Sequence, residues 1–198
     1  MSHIAPYPQQ LGLFTNFVAR QPEVLALKEK VMSLSGDSFD IKLANGQPVF
    51  QVKGESFSLS NRQHFCDMAG NELFTLRKKL VALHTTYYAE EPNTENVLFE
   101  VKSRFNIGGT KMICTFKNRF TGKEETLMVK GNFFDTKADI TDEATGQPVA
   151  TIDRKFFNAR EIFTGQDTYA VTVAPNVDMA IIAAMCICVD NKKEQGKS

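Results

Sequence analysis

The sequence predicts a mainly β protein: a closed antiparallel barrel of about twelve strands around a central apolar C-terminal helix. Three observations carry this. First, Met179 to Val189 (MAIIAAMCICV) is an unbroken apolar run. Apolar on every side, it cannot lie on a protein surface, and at about 1.5 Å per residue it falls far short of the ~20 residues that cross a bilayer. Second, the stretch before it reads as a succession of β-hairpins with no linker-like segment between them. Third, so many strands in an open sheet would leave exposed edges, which closure removes. A barrel of that size has a lumen wider than strand side chains alone fill. The apolar run needs an interior and the interior needs filling, so helix and barrel explain each other.

In chain order, residues 1–23 carry Pro and Gln and read as an irregular arm, with Leu13, Phe14, Phe17 and Val18 available to pack on the domain. The barrel domain is expected over 24–191. Residues 24–34 (VLALKEKVMSL) stay open between a short helix and a strand. Phe39, Ile41 and Leu43 then alternate with polar residues, as one buried strand face does. Asn45-Gly46 signals a tight turn, because both residues tolerate positive φ. The return strand runs from Pro48 to Lys53, with proline first, where it spoils no ladder bond. The same device recurs as Ala69-Gly70 before Glu72 to Arg77, Thr121-Gly122 before Glu125 to Lys130, and Thr145-Gly146 before Pro148 to Asp153. Gly46-Gln47-Pro48-Val49 and Gly146-Gln147-Pro148-Val149 are near copies, a weak repeat that suggests two similar halves of one sheet.

Further strands are expected at His64–Met68, Leu80–Tyr88, Val97–Arg104, Lys111–Lys117, Thr136–Thr141 and Thr168–Val173. Residues 89–96 (AEEPNTEN) form a polar loop, and Phe156–Phe163 a short turn or helix. Pro175-Asn176 opens the final helix, over about 177–190, with Asn176 as its cap and Asp178 favoured in the first turn. From Asp190 the chain reads as charged tail with nothing to bury, the domain ending at 191 and the tail proper covering 192–198.

A chain of 198 residues is long enough for one well-filled core. The formal net charge is zero, so no bulk field draws it to nucleic acid or an anionic membrane, and a nucleic-acid partner is not expected. Cys66, Cys114, Cys186 and Cys188 read as buried reduced thiols, since Cys-x-Cys on a helix points its side chains apart. The start shows no basic-then-apolar signal and the chain no Asn-x-Ser/Thr sequon. The expectation is cytoplasm, a membrane periphery or the nucleus, not secretion.

Catalytic constellations are not evident. Gly108-Gly109-Thr110-Lys111 lacks the glycine spacing and the Lys-Ser/Thr pair of a phosphate loop and reads as a turn. His3, His64 and His84 share no metal spacing with one another or with the cysteines. No enzyme activity, cofactor or metal is expected.

Order and spacing do suggest a family. The carriers are Leu34-Ser35-Gly36, Asn45-Gly46 with Val52 to Gly54, Phe57-Ser58-Leu59, and Asp67 through Arg77-Lys78-Lys79-Leu80 to His84. Near the end come Phe163-Thr164-Gly165-Gln166-Asp167-Thr168-Tyr169 and Val173 to Asp178, leading into the apolar run. Over roughly residues 24–191 the chain resembles the LURP-one-related proteins, whose fold is similar to the tubby C-terminal domain and to phospholipid scramblases. The resemblance implies a twelve-stranded barrel around a C-terminal helix. Tubby-like domains bind phosphoinositides, scramblase-like ones are membrane-associated, and plant members are linked to defence responses.

In tubby-like domains a basic stretch preceding a Gly-Thr-Lys segment on a neighbouring strand helps hold a phosphoinositide headgroup. This chain has a similar order of parts, and the resemblance implies Arg77, Lys79, Lys102, Arg104 and Lys111 as a basic ligand-binding set. Alternation sends Lys78 to the opposite face. The first expectation is thus a non-enzymatic binding module for a phosphoinositide or another anionic headgroup at a membrane surface. The alternative is a protein–protein adaptor or signalling scaffold with no small ligand. A scramblase-like reading would make the terminal run a membrane segment, against which its length argues.

Overall fold

The computed structural model describes residues 4–28, 38–55, 62–106, 109–130, 137–155 and 168–195. Among these, twelve strands close into one barrel in simple sequential order. They are β1 (Glu23–Lys28), β2 (Ser38–Leu43), β3 (Pro48–Gly54), β4 (Gln63–Asp67), β5 (Glu72–Lys78) and β6 (Thr86–Glu90). β7 (Val97–Asn106), β8 (Gly109–Lys117), β9 (Glu124–Lys130), β10 (Lys137–Asp142), β11 (Pro148–Asp153) and β12 (Thr168–Val173) follow. Each strand pairs antiparallel with its sequence neighbour, and β1 closes the ring on β12 with Glu23 opposite Val173 and Lys28 opposite Thr168. The stretch left open between helix and strand is therefore a strand as far as Lys28. Its remainder, residues 29–34, lies outside the described residues, as do Leu34 to Gly36, Phe57 to Leu59, Gly108, Thr136, Phe156–Phe163 and Phe163 to Asp167.

The glycine turns lie together at one end of the barrel. Gly46, Gly70, Gly122 and Gly146 all take positive φ there. The near-copied hairpins share their irregularity as well as their sequence. The β2–β3 register shifts between Ile41 and Lys42, with Lys42 facing Pro48. The β10–β11 register shifts between Ile140 and Thr141, with Thr141 facing Pro148.

Inside, a line of phenylalanines runs across β3, β4, β5 and β7. Ring centroids stand 5.1 Å apart for Phe50–Phe65, 4.7 Å for Phe65–Phe74 and 5.1 Å for Phe74–Phe99. Phe14 and Phe17 of the arm add to this line from outside the strands, against Phe74 and Phe50. The helix α1 (Met179–Gln195) fills the rest of the lumen. Its 17 residues span about 26 Å at 1.5 Å each. Every residue from Ala180 to Cys188 is at most 1% exposed. The apolar run is a core helix.

Both ends of α1 are held by buried polar groups. At its start the linker through Asn176 to Asp178 is sandwiched by the arm: Leu11 N–H donates to Asn176 O, Asp178 N–H to Leu11 O, and Ala19 N–H to Val177 O. Asp178, not Asn176, caps the helix. Its Oδ1 accepts from Ala180 N–H at 2.9 Å, while Oδ2 accepts from Leu13 and Phe14 N–H at 2.9 and 2.7 Å. Asn176 takes φ +71 and spends its side-chain amide on Tyr7 O. At the other end the helix runs on past 190. Asp190 is 3% exposed and accepts from Arg154 at 3.1 Å and from Tyr169 Oη at 2.6 Å. The expectation of a tail with nothing to bury thus fails at Asp190 and Asn191, because the barrel supplies them with partners; Asn191 donates to Gln63.

Candidate functional site

In β5 the side chains of Phe74 and Leu76 join the core, so alternation turns Arg77 outward. Lys78 stands opposite Tyr87, a core residue, and so on the other face. Arg77 faces Tyr88, with its guanidinium 5.7 Å from that ring, and donates to both oxygens of Glu90 at 2.9 and 2.8 Å. The bond to Glu90 holds the guanidinium above its ordinary pKa.

Lys79 follows the strand, its N–H donating to Thr86 O. Its Nζ lies 3.5 Å from one oxygen of Glu100, and Lys102 Nζ lies 2.5 Å from the other. Partial burial alone pushes the Glu100 carboxyl up, but Lys102 and then Lys79 outweigh it and hold the group below its ordinary range. Arg104 stands opposite Lys111 and pairs with Glu143 at 3.1 Å. Lys111 is half-buried and has no ion-pair partner among the described residues. All five basic residues therefore share the outer face of β5 to β8. Glu90, Glu100 and Glu143 are interleaved with them, leaving a surplus of positive charge. The side chains of Lys79, Lys102 and Arg104 are 53%, 48% and 60% exposed, so each pair is worth at most about 1 kcal/mol.

Sequence reasoning missed Glu90 and Glu143, which only the strand register brings in, and passed over Glu100, which alternation along β7 already places beside Lys102. It also took Leu80–Tyr88 as a strand. The strand begins at Thr86, and Leu80 to Leu83 project from a loop at the barrel end opposite the glycine turns. LVAL has no polar alternation, the one signal in the sequence against a half-buried strand.

Elsewhere the chemistry is structural. His64 Nδ1 lies 3.1 Å from both Glu72 Oε1 and Thr75 Oγ1, and Thr75 also donates to Glu72. The three share one nitrogen and one oxygen, so hydroxyl, imidazole and carboxylate are not in relay order. All four cysteines are free and buried, and burial pushes their thiols up, away from the reactive thiolate. Among the described residues no group of three or more His, Cys, Asp or Glu could hold a metal ion. An open hollow of about 670 Å³ beside Glu100 is lined by Thr115, Lys117 and Glu124 among others; with two carboxylates to one lysine, its charge does not favour an anion.

Barrel, threaded helix and charged outer face define a helix-filled antiparallel β-barrel without an evident catalytic centre among the described residues. Comparison with known proteins places it further: the LURP-one-related family profile matches residues 23–190, and the chain belongs to that family. It is 28% identical to Protein LURP-one-related 15 of Arabidopsis thaliana over 200 residues, 98% of this chain and 92% of that protein. It is 29% identical to Protein LURP-one-related 10 of the same plant, covering 89% of this chain and 93% of that one. An X-ray structure of an Arabidopsis thaliana protein superposes with a TM-score of 0.62 at 23% identity, covering 90% of this chain and 95% of that one, a likeness of fold.

Proposed function

We propose that this barrel is a non-enzymatic module that binds an anionic headgroup, of the phosphoinositide kind, at a membrane surface through Arg77, Lys79, Lys102, Arg104 and Lys111. One observation carries the reading. Two lysines from different parts of the sheet, Lys79 and Lys102, converge on a single carboxylate, Glu100, at 3.5 and 2.5 Å. Two ammonium groups that can reach one pair of anionic oxygens can also reach those of a phosphate. Arg104 and Lys111 stand beside them on the same face. Glu100 then competes with the ligand, and binding is weak and salt-sensitive.

Co-sedimentation with phosphoinositide vesicles tests this with variants of opposite sign. Lys79→Glu with Lys102→Glu lowers affinity by roughly tenfold or more, while Glu100→Gln raises it by roughly three- to tenfold. A Glu100→Gln protein that binds no better than wild type contradicts the proposed place of the headgroup.

A further inference from the structure

The loop that the sequence disguises as strand is the most exposed apolar feature among the described residues. Leu80, Val81 and Leu83 are 64%, 94% and 95% exposed. The other large apolar residues with comparable exposure, Met68 at 46% and Val97 at 52%, stand singly. Isolated exposed apolar residues are ordinary, whereas a cluster at one tip marks a contact surface. Its two feet are pinned: Lys79 N–H donates to Thr86 O at 2.8 Å, and Ser103 N–H to Thr85 O at 2.9 Å.

Its surroundings select the partner. From Lys78 to Tyr88 the chain carries no acidic residue. Lys79 forms the loop's base, Lys102 stands opposite Thr86 at its return, and Arg104 with Lys111 follow along the same ladder. An apolar tip above a collar of lysine and arginine is complementary to one layered target: hydrocarbon beneath a sheet of anionic headgroups.

We infer that Leu80, Val81 and Leu83 insert into the acyl boundary of an anionic bilayer while the basic residues behind them meet its headgroups. This rests on the headgroup reading above and adds the insertion element that it lacks.

The chain contains no tryptophan, so Val81→Trp supplies a single tryptophan at the tip, excited selectively over the four tyrosines. The full-length variant is mixed with phosphatidylcholine vesicles, with and without phosphatidylserine or phosphoinositide, and with brominated lipid as a depth-dependent quencher. A blue shift and bromolipid quenching only with anionic vesicles support the inference. Sedimentation of wild type with those vesicles then falls by roughly tenfold or more in Leu80→Ser/Val81→Ser/Leu83→Ser. Those positions are exposed, and an unchanged circular dichroism spectrum and melting temperature verify the fold. Sedimentation without spectral change overturns insertion and leaves the headgroup reading standing. Equal insertion into neutral vesicles overturns the headgroup reading and, with it, the anionic selectivity inferred for the insertion. Neither sedimentation nor spectral change overturns both and leaves the loop to a protein partner.

Discussion

Asp178 joins helix and arm through one carboxylate: it caps the helix, accepts from Leu13 and Phe14 of the arm, and lies against the arm's Gly12. A Cβ at Gly12, where φ is +146, would stand 2.1 Å from Asp178 Cβ, so the arm can pass here only because the residue is glycine. Burial raises the Asp178 carboxyl from its ordinary 3.8 to about 6, against the N–H groups of Phe14, Leu13, Ala180 and Ile181 that favour its charged form. The native state therefore holds this proton more tightly than the unfolded chain does. The stability so conferred is complete below the ordinary value of 3.8 and is lost as pH rises through about 6, on the order of 3 kcal/mol in all. In urea unfolding, the stability of wild type relative to Asp178→Asn should fall across that window. A difference that does not change with pH contradicts the assignment. Arg154 and Asp190, with side chains 9% and 4% exposed, give a second case. Arg154→Met removes the guanidinium that pairs with the buried Asp190 carboxylate and is expected to cost about 3–5 kcal/mol. Adding Asp190→Asn should restore much of it, and chemical unfolding of the double-mutant cycle measures the coupling. Additive losses would show that the pair acts as two separate residues.

At the scale of elements, α1 and the barrel are each the other's folding requirement. Deleting Val177–Ser198 removes the filling of the lumen and is expected to leave a chain that aggregates or stays unfolded. A monomer with a sharp, well-dispersed NMR spectrum would contradict that mutual dependence. The helix was legible because an all-apolar run has so few places to go. The hairpins were legible because Asn-Gly, Ala-Gly and Thr-Gly turns punctuate them at positive φ. Alternation also separated Arg77 from Lys78 correctly. Less was legible where two faces look alike. Leu80 to Leu83 are apolar yet outside, so apolarity alone assigned them to a strand. Asn176 and Asp178 are both good caps, and only the path of the arm, which engages Asp178 from above, decides between them. Glu90 and Glu143 entered the basic face through register across several strands, which a linear reading does not carry, whereas Glu100 follows from alternation with Lys102 along one strand.

For the molecule as a whole, the two ends of the barrel differ in character. One is sealed by tight glycine turns and by the arm, whose Ile4, Tyr7 and Leu11 are buried. The other bears the exposed apolar loop and the exit of the helix. Among the described residues no helix is long and apolar enough to cross a membrane. A chain of zero net charge gains no general attraction to an anionic surface; in the proposed reading the attraction comes from the face around Lys79 and Lys102. That makes ionic strength the decisive variable, since exposed charges about 10 Å apart are largely screened at ~0.1 M salt. The most direct measurement is the affinity of the full-length protein for vesicles with and without phosphoinositide, followed from low to high salt. Binding that appears only with the phosphorylated lipid and fades as salt rises is the predicted result; no binding even at low salt would contradict the account.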